Sequence, residues 1–286
     1  MSSTAVGGPR IKLNSGYEIP LVGFGTYKVV GQDAIDKCVD AALACGYRHF
    51  DTAKLYVNEP ELGNALEKFL PKYGLKREDI FITTKFMPPK DEKELNLYIC
   101  LSYLDLVLIH YPKSPERAEE DPQNVVARKE CWLALEKIPE SKVHSIGISN
   151  YEVNHIEEMS QYSQKVPAVN QVEYHPHFRR QQLKEYCSKR GIFFQAFSSL
   201  GRHHPDLIGD PVVVELVQKY NTTPQIVLLS FATSQNVGVV PKSENPDRIR
   251  DNLKCLELHL TSEEIQELNS IDKDQHYIRC TGWLVK

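Results

Sequence analysis

The sequence predicts an α/β fold, a (β/α)8 barrel in which eight parallel strands each lead into a helix. Short runs of β-branched and aromatic residues alternate with amphipathic stretches along the chain, and such alternation requires parallel strands. No Ser-, Gly- or Pro-rich linker interrupts it, so residues 1–286 are expected to form a single domain. The competing fold, an open doubly wound sheet, would carry G-x-G-x-x-G after its first strand. Here Gly23 and Gly25 are followed by Tyr27 and Lys28, and the third glycine is missing.

The predicted elements begin with a β-hairpin formed by Ile11–Leu13 and Glu18–Leu21. The barrel strands then follow in order: Val22–Gly25, Arg48–Phe50, Ile80–Lys85, Leu104–His110, Val143–Ser149, Ala168–Glu173, Ile192–Phe197 and Val237–Val240. Apolar residues three or four positions apart predict helices between them at Ala34–Cys45, Glu61–Tyr73, Val125–Ile138, Val153–Gln161, Arg180–Arg190 and Val212–Tyr220.

Helix starts are marked late in the chain by capping residues. Thr223 and Asn245 each precede a proline that can take the first helical position, and Thr261 to Glu264 reads as a capping box. The third crossover is different, because the helix predicted at Asp91–Cys100 is unusually short.

Composition excludes several classes of function. The net charge is −4, from 34 Lys and Arg against 38 Asp and Glu, and like charges do not cluster, so neither nucleic acid nor an anionic membrane is an expected partner. The chain has no long apolar run and no secretory signal pattern, and its seven Cys include no C-x-x-C pair. We expect a cytoplasmic protein with reduced thiols.

The candidate chemistry lies where predicted strands end, since the carboxyl ends of barrel strands converge at one mouth. The second strand runs into Asp51, the third ends at Lys85 and the fourth at His110, while Tyr56 follows Asp51 on the next loop. Each residue alone is more often a cap, a surface group or a satisfied polar group. A lysine after an apolar strand is harder to explain in that way, and we expect it to pair with Asp51.

The expected pairing of Lys85 with Asp51 predicts that Tyr56 acts as an acid. The Lys85 ammonium, placed beside Tyr56, is expected to favour the phenolate and so to lower the pKa of Tyr56. Neutral His110 would hold a carbonyl oxygen against the Tyr56 hydroxyl, and the two would protonate an oxyanion as it forms.

The other strand ends suit a nicotinamide dinucleotide, which would supply the hydride. Asn150 and Gln171 suit a carboxamide, Phe197 suits a flat ring, and Lys242 with Arg248 at a proline-opened helix suits a phosphate.

Several motifs together resemble the aldo-keto reductase family, in the branch of the aldose and aldehyde reductases. They are residues 46–53 (GYRHFDTA) with Tyr56, Asn58 and Glu59, residues 82–86 (ITTKF), 105–110 (DLVLIH), 147–151 (GISNY), 167–173 (PAVNQVE) and 241–243 (PKS) with Arg248, Ile249 and Asn252. The resemblance spans Ile11 to about Asp272 in family order.

The resemblance implies a TIM barrel that reduces aldehydes or ketones to alcohols with NADPH, acts on a small carbonyl substrate and is a monomer. It makes Asp51, Tyr56, Lys85 and His110 the catalytic residues, with Tyr56 as proton donor. The implied NADP(H) site consists of Gly25, Thr26, Asp51, Ser149, Asn150, Gln171, Phe197, Ser198, Leu200, Gly201, Lys242, Ser243, Arg248 and Asn252. The implied substrate pocket consists of Tyr27, Leu55, Met87 and Tyr111.

The chain departs from the family pattern in several places. The crossover between Lys85 and His110 is short, as are the 201–210 loop and the tail after Asp272; the short loop predicts fast cofactor exchange. Phe197 stands where tyrosine is more common. Glu244 adds a negative charge beside the expected 2′-phosphate position, which could weaken the preference for NADP over NAD.

Two other functions stay open at this stage. The chain could be a cofactor-binding barrel with little catalysis, in which the short third crossover leaves Lys85 and His110 loosely held. It could also be a metal-dependent hydrolase that uses the pairs His175 and His177 or His203 and His204, although the metal-free interpretation of these histidines is that they lie on loop surface.

Overall fold

The computed structural model describes residues 7–88 and 103–278. An antiparallel hairpin opens the described chain, with β1 (Arg10–Lys12) paired to β2 (Glu18–Pro20), as predicted. Ile19 of this hairpin is completely buried and packs with Phe81 and Leu106, which belong to the strands of the barrel. The hairpin therefore covers the end of the barrel at which the strands begin.

Eight parallel strands form the second sheet, and each is bonded to its neighbour in sequence. They are β3 (Phe24–Gly25), β4 (His49–Asp51), β5 (Phe81–Phe86), β6 (Leu104–Ile109), β7 (Val143–Ser149), β8 (Val169–Glu173), β9 (Phe193–Phe197) and β10 (Gly238–Val239). A parallel bridge between Val22 and Val239 joins the two edges, and the Gly23 amide donates to the Val239 carbonyl at 2.8 Å. The sheet is therefore closed, and the predicted barrel is confirmed.

Two differences from the predicted strands have local causes. Strand β4 is displaced by one residue and includes Asp51, whose carbonyl accepts a hydrogen bond from the Thr26 amide. Strand β3 is only two residues long and meets the end of β10 very closely. A Cβ added at Gly25 would lie 2.6 Å from the Val240 carbonyl oxygen, so only glycine allows this closure of the barrel.

The helices of the described residues lie on the outside of the sheet. They are α1 (Gln32–Cys45), α2 (Glu59–Phe69), α3 (Gln123–Glu136), α4 (Val153–Met159), α5 (Gln181–Lys189), α6 (Pro205–Ile208), α7 (Pro211–Lys219), α8 (Pro224–Thr233), α9 (Pro246–Asn252) and α10 (Ser262–Ser270). The predicted caps are confirmed, since the side chains of Thr223, Asn245 and Thr261 accept from backbone amides of α8, α9 and α10.

The helix predicted to reach Tyr73 ends at Phe69 and is followed by a 3-10 turn, Pro71–Tyr73. Pro71 has no amide hydrogen to donate to the preceding helical turn, which accounts for the break. The predicted helix Asp91–Cys100 and the tail after Ile278 lie outside the described residues.

Alternation of side chains along the strands places apolar residues in the core and polar residues on the opposite face. Phe50, Ile82 and Val172 belong to the main apolar core that the strands share with the helices. Their neighbours Asp51, Thr83, Lys85 and Gln171 carry polar side chains, as alternate residues of a strand point to opposite faces. None of the helices that the structure describes is long and apolar enough to cross a membrane.

Candidate active site

The four residues predicted to be catalytic meet at the end of the barrel where the strands finish. Asp51 is the last residue of β4, Lys85 lies in β5, and His110 directly follows β6. Tyr56 closes a 3-10 turn, Lys54–Tyr56, which starts three residues after the end of β4. Parallel registration of neighbouring strands brings these side chains together, as the sequence predicts.

Lys85 is a buried ammonium with three oxygen partners. Its Nζ donates to Asp51 Oδ1 at 2.5 Å, to the Thr52 carbonyl at 2.9 Å and to the Tyr56 hydroxyl at 3.4 Å. The side chain is 1% exposed and that of Asp51 is 4% exposed. Burial lowers the pKa of Lys85, and Asp51 acts in the opposite direction. The expected pairing with Asp51 is confirmed.

The position of Tyr56 depends on a buried asparagine two residues further on. Asn58 Nδ2 donates to the carbonyls of Thr26 and Val29, both at 2.9 Å, and its Oδ1 accepts from the Thr52 hydroxyl at 2.9 Å. Val57 between them has a φ of 54°, which is unusual for a β-branched residue. Asn58 thus ties the loop after β3 to the turn that presents Tyr56, and offsets the strain at Val57.

The expected lowering of the pKa of Tyr56 is wrong. The pKa of Tyr56 lies well above its ordinary value, because the phenol is buried and because Asp51 lies nearby. Asp51 partly offsets the charge of Lys85, so the ammonium stabilises the phenolate less than a lone cation would. Tyr56 is consequently a protonated phenol throughout the neutral pH range, which is the form that can donate a proton.

His110 faces Tyr56 with its ring centroid 5.9 Å away in an edge-on arrangement, and it stacks on Tyr111. Its Nδ1 is buried without a hydrogen-bond partner among the described residues. Burial, and then the positive charge of Lys85, hold the pKa of His110 well below its ordinary value. The imidazole is therefore neutral, as expected, and one ring nitrogen can donate to an oxygen held beside Tyr56.

Amide side chains continue this polar network into the barrel. Gln171 Nε2 donates to Asp51 Oδ2 and to Gln195 Oε1, both at 2.8 Å. Asn150 has a left-handed φ of 63°, and its Nδ2 donates to the His110 carbonyl at 2.9 Å. The Ser149 hydroxyl donates to the Gln171 carbonyl. Both carboxylate oxygens of Asp51 are therefore engaged.

A cavity of about 600 Å³ opens above these groups. The predicted site residues that line it are Gly25, Tyr27, Asp51, Leu55, Tyr56, His110, Tyr111, Asn150, Gln171, Phe197, Ser198, Leu200 and Lys242. The predicted site residues outside its lining are Thr26, Lys85, Met87, Ser149, Gly201, Ser243, Arg248 and Asn252. Of these, Thr26, Lys85 and Ser149 are buried behind lining residues to which they are bonded.

Sequence reasoning missed part of the lining, namely Lys28, Ser199, Arg202, His203, Val240, Pro241 and Ile278. The position of Lys28 could have been predicted, because it follows Tyr27 on the loop after the first barrel strand. The positions of Arg202 and His203 could not, since these residues reach the cavity through left-handed φ angles of 52° and 60°. Ile278 comes from the distant C-terminal segment.

The lining fits an elongated anionic ligand with a flat ring. Phe197 offers a half-buried ring face, and Ser199 Oγ is buried with no hydrogen-bond partner in the described chain. Lys28, Arg202 and Lys242 supply positive charge. These groups could hold a nicotinamide dinucleotide, with its phosphates among the cations.

Lys242 has an acidic partner in this structure. Its Nζ lies 2.5 Å from Glu244 Oε1, with both side chains partly exposed. The Glu244 carboxylate, which lies beside the expected 2′-phosphate position, is therefore in direct contact with the Lys242 ammonium that would bind this phosphate.

The short loop after β9 is anchored by the C-terminal segment. The Tyr277 ring stacks on His204 at 4.3 Å, and its hydroxyl lies 2.7 Å from His177 Nδ1. His177 Nε2 lies 2.9 Å from Asp210 Oδ2. Glu173 accepts the backbone amides of Tyr277 and Ile278. These contacts thus hold the 201–210 loop at His204 and at Asp210.

The same contacts correct the interpretation of two histidines. His175 and His177 are completely buried and do not lie on loop surface. His175 Nε2 lies 3.1 Å from Glu173 Oε1, two residues earlier in the chain. The partners of His177 are Tyr277 and Asp210, which a sequence cannot place beside it because they come from distant parts of the chain. Residues 7–88 and 103–278 contain no group of His, Cys, Asp and Glu side chains arranged to hold a metal ion.

A closed (β/α)8 barrel with a tyrosine, a buried lysine–aspartate pair and a neutral histidine at its mouth defines a class of oxidoreductase. The aldo/keto reductase family model matches residues 21–204 and 207–273. Aldose reductase B of Dictyostelium discoideum is 33% identical over 287 residues, covering 92% of each chain. The NAD(P)H-dependent D-xylose reductase I,II of Candida tropicalis is 36% identical over 300 residues, again covering 92% of each chain.

Solved structures agree with these sequence matches. The aldose reductase of Schistosoma japonicum superposes with a TM-score of 0.85 at 33% identity, covering 96% of each chain. The chain belongs to the aldo/keto reductase family.

Proposed function

We propose that this protein reduces aldehydes or ketones to alcohols with NADPH, and that Tyr56 donates the proton. The observation that carries the proposal is the contact between the Tyr56 hydroxyl and the buried Lys85–Asp51 pair at the floor of the cavity. The bound cofactor would supply the hydride to the carbonyl carbon.

The proton comes from the chain. A substrate carbonyl oxygen beside Tyr56 gains negative charge as the carbon is reduced, and the phenol hydroxyl donates its proton to that oxygen. The phenolate that remains lies 3.4 Å from the Lys85 ammonium, which stabilises it until a solvent proton returns. Asp51 keeps Lys85 charged within a site whose burial favours the neutral amine.

His110 orients the oxygen. Because its imidazole is neutral, it donates a hydrogen bond without competing with Tyr56 as the acid. Its ring stacks on Tyr111, and its backbone amide donates to the Phe86 carbonyl at 2.8 Å. These contacts oppose the alternative of a barrel whose catalytic residues are loosely held.

The substrate side of the cavity is apolar and aromatic. Tyr27, Leu55 and Tyr111 line it beside Tyr56, and the Tyr27 and Tyr56 rings lie 5.0 Å apart. Such walls suit a small carbonyl compound with an apolar or aromatic substituent. Met87, the fourth predicted pocket residue, is outside the lining, and its contact with substrate stays a prediction.

Lys242 and Arg248 support NADP over NAD. Lys242 lines the cavity, and Arg248 lies in the first turn of α9, whose cap Asn245 accepts the Asp247 and Arg248 amides. A 2′-phosphate placed there would meet two cations near a helix N-terminus. Glu244 opposes this preference.

The substitution Glu244→Gln is expected to raise the preference for NADPH over NADH by about two- to fivefold, which is the effect expected from removing a partly exposed ion pair. The variant frees Lys242 for the phosphate. The measurement is the ratio of kcat/KM for the two cofactors at fixed aldehyde. Glu130→Gln, on the exposed face of α3, is the matched control and should leave the ratio unchanged; a Glu244→Gln ratio equal to that of the control would contradict the assignment.

The test of the function itself is oxidation of NADPH in the presence of a panel of aliphatic and aromatic aldehydes. Turnover with formation of the alcohol supports the proposal. Binding of NADPH without turnover of any carbonyl compound would support the non-catalytic alternative instead.

A further inference from the structure

The barrel interior beneath the cavity contains a glutamine that the proposed reaction does not use. Gln195, in the middle of β9, is completely buried. Its register partners are Gln171 on β8 and Gly238 on β10. Because Gly238 has no side chain, space is left on that side for the Phe193 ring and for Gln195, which would lie 2.9 Å and 3.3 Å from a Cβ added at Gly238.

The orientation of these amides follows from one buried ion pair. Asp51 is paired with Lys85 and is an acceptor, so the atom of Gln171 that faces it must be the NH2 group. The second hydrogen of that NH2 is donated to Gln195 Oε1 at 2.8 Å. Gln195 must therefore present its oxygen to Gln171.

This arrangement leaves Gln195 Nε2 buried without a partner among the described residues. An unpaired buried donor destabilises a fold, and an apolar side chain of similar shape would avoid it. What Gln195 contributes in return is a second acceptor for Gln171. Both hydrogens of the Gln171 amide are donated, one to Asp51 and one to Gln195. Its Oε1 is therefore the only polar atom of that side chain left for a ligand in the cavity.

We propose that Gln195 is a positioning residue that fixes the Gln171 amide with its oxygen available to the cavity, so that the site selects a ligand group carrying an N–H donor. This inference rests on the proposed function, in which that group is the carboxamide of the nicotinamide. Gln195 touches neither cofactor nor substrate and acts through Gln171 alone.

The test compares two ligands by calorimetry on the full chain. NADP+ contains the carboxamide, whereas 2′-phosphoadenosine diphosphate ribose lacks the whole nicotinamide and shares the remaining contacts. Gln195→Met removes the acceptor with little change in shape. We expect it to raise the Kd of NADP+ by about three- to tenfold, as for one lost hydrogen bond, and to leave the Kd of the shorter ligand unchanged.

Two further variants separate positioning from folding. Gln195→Glu keeps an oxygen facing Gln171 and should restore the affinity for NADP+. Ser145→Ala removes another hydrogen bond of the barrel, the part-buried one between Ser145 Oγ and Ser15 Oγ at 2.7 Å, and should change neither Kd. A merely structural role of Gln195 would weaken both ligands to the same extent.

Each outcome decides the proposal. An unchanged ratio of the two Kd values in Gln195→Met, whether both are weakened or neither is, overturns the role of Gln195 and leaves the proposed function intact. Failure of the wild-type chain to bind either ligand overturns the proposed function and this inference together.

Discussion

Replacing Tyr56→Phe is expected to reduce kcat for aldehyde reduction by about a hundredfold to ten-thousandfold, the usual contribution of a general acid. The phenylalanine ring keeps the packing against Tyr27 and His110 but cannot donate a proton. Affinity for NADPH should stay close to that of the wild type. The measurement is steady-state NADPH oxidation with saturating aldehyde, together with a fluorescence titration of NADPH.

The control for this variant is Tyr47→Phe. Tyr47 is also buried, and its hydroxyl donates to the Ile249 carbonyl at 3.1 Å, which belongs to none of the four catalytic candidates. Loss of that bond should affect stability and leave kcat unchanged. A Tyr56→Phe enzyme that retains more than about a tenth of wild-type kcat would show that another group or water supplies the proton.

Lys85→Met is expected to have the largest effect on stability. It leaves the Asp51 carboxylate buried without its cation, and breaking such a pair typically costs about 3–5 kcal/mol in the free energy of unfolding. Gln171 still donates to Asp51 but carries no charge. Urea unfolding should show this loss as a lower midpoint, and reductase activity should fall as in Tyr56→Phe.

An ion pair of similar geometry provides the control. Lys68 Nζ lies 2.6 Å from Asp36 Oδ2, but Lys68 is 61% exposed, so Lys68→Met should cost about 0–1 kcal/mol. The double variant Asp51→Asn with Lys85→Met removes the unpaired charge and should regain most of the stability without regaining activity. Equal losses in Lys85→Met and Lys68→Met would contradict the buried-pair account.

The fold was predictable because its signals are local. Alternating apolar patterns placed all eight strands, and Thr223, Asn245 and Thr261 marked helix starts that the structure confirms. The continuation of α2 through Pro71 was the weak point, since apolar periodicity persists there while the backbone hydrogen bonds do not.

For the candidate site, the sequence predicted most of the residues that line the cavity but not their ionisation or their contacts with distant segments. Strand ends identified Asp51, Lys85 and His110 as neighbours, but the sign of the Tyr56 pKa depends on burial and on a carboxylate beside the ammonium, and both are properties of the assembled site. Contacts between distant segments were equally hidden. The C-terminal segment buries His177, and Gln195 acquires its role through the register between β8 and β9.

The protonation state of Tyr56 is the central claim, and it can be measured directly. Tyrosine labelled with carbon-13 at Cζ reports phenol ionisation by NMR, and comparison with Tyr56→Phe assigns the signal. Because burial and Asp51 raise its pKa above the ordinary value of 10.0, Tyr56 should remain a phenol at the pH where exposed tyrosines are half ionised. A Tyr56 signal that titrates below that pH would show that the Lys85 ammonium outweighs burial and Asp51, and would contradict the raised pKa of Tyr56.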